Sequence, residues 1–235
     1  LPELPLDEGY YKSIKVLEQL VNSRSALARL FGRSVAIPNQ GIFINTISLQ
    51  EAKASSEIEN IFTTDDELYQ AYSGNKGESG TPGPAKEVLR YREALWAGYQ
   101  YLLEHGTFDL DYFINLYQVI QQTRDGFRPA HTRIYIKQGG SGPNAGKPVY
   151  TPPRGGNILQ EKMQNLIEFV NDDNKFNVDP LIKMAIAHYQ FEAIHPFRDG
   201  NGRIGRILII NLLTQKGLLE LPILFISNYI ITNKN

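Results

Sequence analysis

The segment His195-Pro-Phe-Arg-Asp-Gly-Asn-Gly-Arg-Ile-Gly-Arg206 concentrates the residues of this 235-residue chain that could do chemistry. A residue before a proline is pushed out of the α region, so a helix arriving at His195 should stop there. Gly200 and Gly202 then permit backbone angles that turn successive amide groups the same way. With the free amides of a following helix N-terminus they form an anion nest. Arg203 and Arg206 stand three residues apart on that helix and can point at one anion. Two guanidiniums over a nest suit a polyphosphate better than a single carboxylate. Asp199 offers a hard oxygen ligand for the Mg²⁺ that polyphosphates bring with them. His195, whose unperturbed pKa lies near neutrality, can deprotonate an attacking hydroxyl. A Gly-rich turn alone carries little weight. Here eight chemically meaningful residues fall within twelve positions, which a chance turn does not produce.

At every specified position this stretch resembles the Fic family signature, HxFx(D/E)GNGRxxR. The resemblance implies that His195 is the general base and Phe197 a buried anchor for the loop. It implies that Asp199 coordinates a Mg²⁺ bridging the α- and β-phosphates of ATP, and that Gly200, Asn201 and Gly202 line the phosphate nest. Arg203 and Arg206 would hold the β- and γ-phosphates. The implied reaction is in-line attack at the α-phosphorus, releasing pyrophosphate and leaving AMP on a Ser, Thr or Tyr hydroxyl of a target protein. Catalysis of this sort is mainly positioning and charge neutralisation.

Two further stretches carry the resemblance. Ser55-Ser-Glu-Ile-Glu-Asn60 is similar to the family's inhibitory motif, (S/T)xxxE(G/N), with Ser55, Glu59 and Asn60 at the specified places. On a helix, residues four apart share one face, so Glu59 can project toward a partner. The resemblance makes that partner Arg206, the ion pair occupying the γ-phosphate site and preventing a productive ATP pose. Glu57 is the competing carboxylate and lies on another face. The third stretch, Ile134–Ile136 with Tyr150-Thr-Pro-Pro153, resembles the family's flap, whose edge takes a target segment by strand addition. Its Gly-rich tip is longer than usual. Alternatives on the same scaffold are transfer of UMP, phosphate or phosphocholine, the reverse removal of AMP with Glu59 positioning water, and a catalytically idle nucleotide sensor. The intact GNGR favours nucleoside monophosphate transfer, and the retained His195 speaks against a pure sensor. Self-modification and a homodimer stay open as partner expectations.

Helices must position these residues. Apolar spacing predicts helices over 13–30, with Gly32 as the stop, and over about 48–61. A Gly-, Pro- and Ser-rich loop over 72–85 follows. Helices resume at 86–105, 109–122 and 159–171. Thr132–Lys137 and Lys147–Thr151, around Gly139, Gly140, Gly142 and Gly146, read as a hairpin ended by Pro152 and Pro153. A nearly apolar helix over 181–194 and another from about Gly202 to Lys216, capped by Gly217, should be central. The expected fold is all-α, a helical core with an inserted β-hairpin flap, divided into an N-terminal helical region, 1–85, and a catalytic core, 86–235.

Composition sets the remaining bounds. Hydrophobic residues at 42% and charged residues at 21% describe an ordinary globular chain. A net charge of −1 gives no global pull toward nucleic acid or an anionic membrane. The absence of cysteine removes disulfides and thiolate zinc sites. The longest apolar run, Ile204–Leu213, is interrupted by Arg206 and Asn211 and fits a buried helix better than a span. The opening LPELPLDEGYY has no signal-peptide pattern, so the cytoplasm is the expected compartment. Relatives with this N-terminal arrangement often continue into a winged-helix module, which is not expected before Asn235. Of the other histidines, His188 is expected as a satisfied core residue, and His105 and His131 as surface residues.

Overall fold

The computed structural model describes residues 1–37, 40–74, 83–138 and 145–233. A 3₁₀ turn at Glu8–Tyr10 leads into α1 (Ile14–Val35), α2 (Gln40–Ile58), α3 (Asp65–Ser73), α4 (Pro84–His105) and α5 (Leu110–Gln121). The hairpin of β1 (Ile136–Lys137) and β2 (Pro148–Tyr150) follows, then α6 (Asn157–Asn171), α7 (Pro180–Ile194), α8 (Asn201–Gln215) and α9 (Ile226–Thr232). The all-α expectation with an inserted hairpin therefore holds.

Helix α8 is the axis. Its residues are buried almost throughout, because α2, α4, α5 and α7 all pack against it. Such all-round burial matches a run of Ile and Leu with no polar stripe. Asn211, in mid-helix, donates from Nδ2 to the Tyr112 hydroxyl at 2.9 Å, which ties α8 to α5. The helix ends as expected: the amide of Gly217, at φ 69°, donates to Thr214 O and that of Leu218 to Leu213 O, a Schellman cap. Phe197 anchors the turn before it, stacked on Tyr117 at 4.3 Å between ring centres. Helix α7 packs on α6 and α8 and leaves Tyr189 exposed along one edge.

Several boundaries differ from the sequence expectation. Helix α1 runs through Gly32 to Val35, since an exposed helical glycine, with open space where its Cβ would stand, costs only about 1 kcal/mol. Helix α2 begins at Gln40, earlier than expected, where packing against α4 and α9 overrides the weak helix preference of its β-branched residues. It ends at Ile58, before Glu59. Helix α3, unanticipated, starts on a capping box between Thr64 and Glu67 and takes in Tyr72 and Ser73 of the expected loop. Pro84 and Ala85 of that loop open α4, and residues 75–82 lie outside the described residues. The hairpin is shorter than expected. Pro148 has no amide to donate, and the register is irregular between Ile136 and Lys137. Gly139, Gly140 and Gly142 of the tip lie outside the described residues.

Candidate active site

The turn between α7 and α8 is held by its own side chains. His195 caps α7 in the left-handed region, φ 51° and ψ 60°, its amide donating to Phe191 O. Asn201 then closes the loop: its Oδ1 accepts from the Phe197 amide and its Nδ2 donates to Phe197 O, both at 2.9 Å. Its buried side chain is thus committed to the backbone, and only its amide remains for an anion. Gly200 adopts φ 75° as the N-cap of α8, a conformation that a side chain would strain. The free amides at the head of α8 and the positive end of its dipole are thereby aimed at one spot.

His195 is half-buried. Its Nδ1 lies 3.3 Å from the Glu192 carbonyl, which can only accept, so Nδ1 carries the proton and Nε2 keeps a lone pair. Burial pushes its pKa below the usual histidine value, offset in part by that carbonyl and by the carboxylates of Glu59 and Asp199. A neutral imidazole with a free Nε2 can accept a proton.

The arginines have different settings. Arg206 is 5% exposed and makes three hydrogen bonds. Its Nε donates to Ser55 Oγ at 2.7 Å, and one Nη donates to Ser55 O at 2.9 Å and to Glu59 Oε1 at 2.8 Å. Arg203, equally buried, is loosely held, 3.4 Å from Glu87 and 3.9 Å from Asp199, with its Nε unpartnered. A buried guanidinium with an idle N–H is unusual without a ligand. The Asp199 carboxylate is 77% exposed beside the nest, touched by Gln121 and by the Gly200 amide. Among the described residues no three His, Cys, Asp or Glu side chains gather into a metal site. The donor set fits a Mg²⁺ that takes one carboxylate and draws its remaining ligands from phosphates and water.

Glu59 stands one residue past the end of α2, yet it and Ser55 both meet Arg206, as their spacing of four predicts. It is the C-cap residue of α2. The Asn60 amide donates to Glu57 O and the Ile61 amide to Ser56 O, and Asn60 sits at φ 63°. This is a Schellman motif, and it explains why the last motif position takes Gly or Asn. The turn brings the Glu59 carboxylate over the first turn of α8. A Cβ on Gly202 would lie 2.2 Å from Glu59 Oε1, so only glycine leaves room for it there. Glu57 makes no ion pair with either arginine.

Three residues of the site lay outside the sequence reading. Arg128, 2% exposed, donates to the carbonyls of His195 (2.8 Å), Ile194 (3.2 Å), Pro153 and Thr132 (3.5 Å), and its amide donates to Pro196 O. It ties the base of the hairpin to the histidine turn. Glu192, whose Oε1 would lie 2.3 Å from a Cβ on Gly205, has its carboxyl pushed up to about 7 by burial against the pull of Arg206. Glu51 on α2 accepts from the amide and hydroxyl of Ser227 on α9 and from the Tyr91 hydroxyl at 3.3 Å. Burial likewise raises its pKa to about 7. Composition and spacing mark none of these, since each acts through backbone or burial. His188 is not the satisfied core residue expected: its Nδ1 faces Gly205 without completing a hydrogen bond. His105 and His131 are exposed, as expected.

Among the described residues no helix is long and apolar enough to cross a membrane. Residues 17–100 match the family model described as Fic/DOC family N-terminal, and residues 107–213 match that of the Fic/DOC family. The chain is 24% identical over 151 residues to the protein adenylyltransferase fic-1 of Caenorhabditis elegans, covering 60% of this chain and 27% of that protein. It is 51% identical over 47 residues to a probable protein adenylyltransferase of Aquifex aeolicus, covering 20% of this chain and 15% of that protein. The chain thus spans about a quarter or less of the length of these relatives. Among solved structures, a Fic family protein from Desulfovibrio desulfuricans superposes with TM-score 0.67 at 21% identity, over 94% of this chain and 63% of that one. Fic-1 from C. elegans superposes with TM-score 0.61 at 18% identity, over 88% and 60% respectively. Two adjoining family matches that together take in most of the sequence, on a fold shared with Fic proteins, establish that the chain belongs to the Fic/DOC family.

Proposed function

We propose that the chain is a protein adenylyltransferase held back by its own Glu59. The observation that carries this reading is the Glu59 carboxylate, 2.8 Å from the Arg206 Nη and pressed onto Gly202 at the head of α8. An arginine beside an anion nest, already paired with an internal carboxylate, is what a self-restrained polyphosphate site requires. The unsatisfied Nε of buried Arg203 points the same way, as a donor waiting for an oxygen.

In this reading Glu59 swings off Arg206, and the phosphates of ATP take its place at the α8 amides, Arg203 and Arg206. Asp199 would hold a Mg²⁺, which would supply neutralisation of phosphate charge. A target hydroxyl gives its proton to His195 Nε2 as its oxygen bonds to the α-phosphorus. The bond from that phosphorus to pyrophosphate breaks, and the leaving group is held by the same arginines. Arg128 keeps the histidine turn and the base of the hairpin, where the target would dock, in fixed relation. The test is the origin of the transferred atoms. Incubated with Mg²⁺ and a target protein or itself as acceptor, the Glu59→Gly chain should label protein from ATP marked at the α-phosphate and not from ATP marked at the γ-phosphate. Label from the γ-position would replace this reading with phosphate transfer.

A further inference from the structure

The segment that contains the hairpin carries a charge that the rest of the molecule does not. Between Arg124 and Arg154 the sequence holds six basic residues and one acid, a net of +5, while the remaining 18 basic and 24 acidic residues sum to −6. One of the six, Arg128, is buried and consumed by backbone carbonyls. Arg133, Lys137 and Arg154 are exposed, and their side chains make no hydrogen bond or ion pair with the described residues. Arg133, Tyr135 and Lys137 alternate along one arm, so their side chains share the outward face, while Ile134 and Ile136 turn in. Among the described residues, the backbone groups of Arg133, Ile134 and Tyr135 find no hydrogen-bond partner.

Between the arms lies a cavity of about 320 Å³ whose walls include Thr132, Ile134, Tyr135 and Thr151, with Arg133 and Arg154 among them. The Arg128 guanidinium spans from this cavity's floor to the His195 carbonyl. A segment lying between the arms is therefore one side chain away from the catalytic turn.

Resting on the protein-modifying reading of the site, we propose that the hairpin selects an acidic target segment, one presenting its hydroxyl on an extended stretch with Asp or Glu at alternating neighbouring positions. Alternation is the chemistry that matches Arg133 and Lys137, which stand four residues apart on one face of an extended arm. Unpaired cations beside open backbone groups favour a peptide whose carboxylates meet the cations while its main chain meets the arm. Exposed pairs are individually weak, so the preference is a summed and salt-sensitive one.

Fluorescence anisotropy with three labelled peptides tests this without ATP, each bearing the same central hydroxyl residue and alternating Glu, Gln or Lys on either side. The Glu peptide should bind on the order of tenfold tighter than the Gln peptide at low salt, the gap shrinking as salt is added. The variant Arg133→Glu/Arg154→Glu should reverse the order and favour the Lys peptide, a gain that a misfolded protein cannot show. Lys137→Gln should narrow the Glu preference. Its ATP affinity, and that of the double variant, should equal the native value. Equal binding of Glu and Gln peptides overturns the proposal. So does loss of ATP affinity in the double variant, which would assign these cations to the nucleotide. Because binding is read without transfer, failure of the adenylylation reading leaves this result standing, and the reverse also holds.

Discussion

At the residue scale, the site rests on three side chains that each solve one problem. Burial favours the neutral form of His195, and the Glu192 carbonyl orients it. The acid limb of the pH profile for transfer should therefore fall below the ordinary histidine pKa, with activity holding as pH rises above it. An acid limb above that value would contradict the role of burial. Asn201 spends its whole amide on Phe197. Replacing it with Ala strands a buried amide and carbonyl, which should cost about 2–4 kcal/mol of stability in thermal or urea unfolding. Arg128 acts through carbonyls rather than on substrate, so it is a positioning residue. Arg128→Lys, which keeps charge but loses the fork, should lower kcat for transfer by on the order of tenfold or more while leaving the KM for ATP nearly unchanged. A matching rise in the KM for ATP would instead place Arg128 in the nucleotide site.

At the element scale, the end of α2 holds Arg206, and Glu51 within α2 ties that helix to α9. The Schellman turn at Asn60 sets where Glu59 falls, and a β-branched residue at φ 63° costs roughly 1–2 kcal/mol. Asn60→Val should loosen the turn and raise basal transfer partway toward that of Glu59→Gly, while Asn60→Gly should leave it low. Glu51 couples α2 to α9 and to Tyr91, with Arg206 near enough to lower its pKa somewhat. A carboxyl raised from 4.5 to about 7 favours folding in its protonated form. Its contribution is complete below pH 4.5 and is lost as pH rises through about 7. Glu51→Gln should therefore match the native melting temperature near pH 4.5 and exceed it at pH 8. The excess should correspond to a few kcal/mol at most, since Gln replaces the carboxylate's acceptor only in part. Equal melting temperatures at pH 8 would mean that Glu51 is not ionised against a penalty.

At the scale of the whole molecule, the fold serves to bury α8 and present only its head. That much was legible in sequence: the apolar run from Ile204 to Leu213, the glycines before it and the proline after His195 announce a buried helix with an open N-terminus. The pairing of Glu59 with Arg206 was legible only through motif resemblance, and the turn that ends α2 beside it was not, because the positive φ of Asn60 has no periodic signature. Arg128, Glu192 and Glu51 were not legible, since their partners are carbonyls, glycines and a hydroxyl far along the chain. The hairpin was overestimated because β-branched alternation at Ile134 and Ile136 does not reveal the proline that cuts its partner strand. If Glu59 holds the nest closed, ATP should stabilise the whole fold more once Glu59 is removed. At a ligand excess near 100 times Kd the gain is ~2.7 kcal/mol, or roughly 5–10 °C in Tm. At a fixed ATP concentration the shift for Glu59→Gly should exceed that for the native chain, and equal shifts would show that Glu59 does not compete with the nucleotide.

The central claim is that Glu59 restrains a transferase whose base is His195. Its most direct measurement is protein labelling from α-phosphate-labelled ATP and Mg²⁺ by the native chain, by Glu59→Gly and by Glu59→Gly/His195→Ala. Loss of a charge-assisted contact of this kind should raise labelling by roughly 10–100-fold in Glu59→Gly. Removal of the base should then lower it by about 10²–10⁴-fold in the double variant. Equal labelling by the native chain and Glu59→Gly, or undiminished labelling in the double variant, would contradict the account.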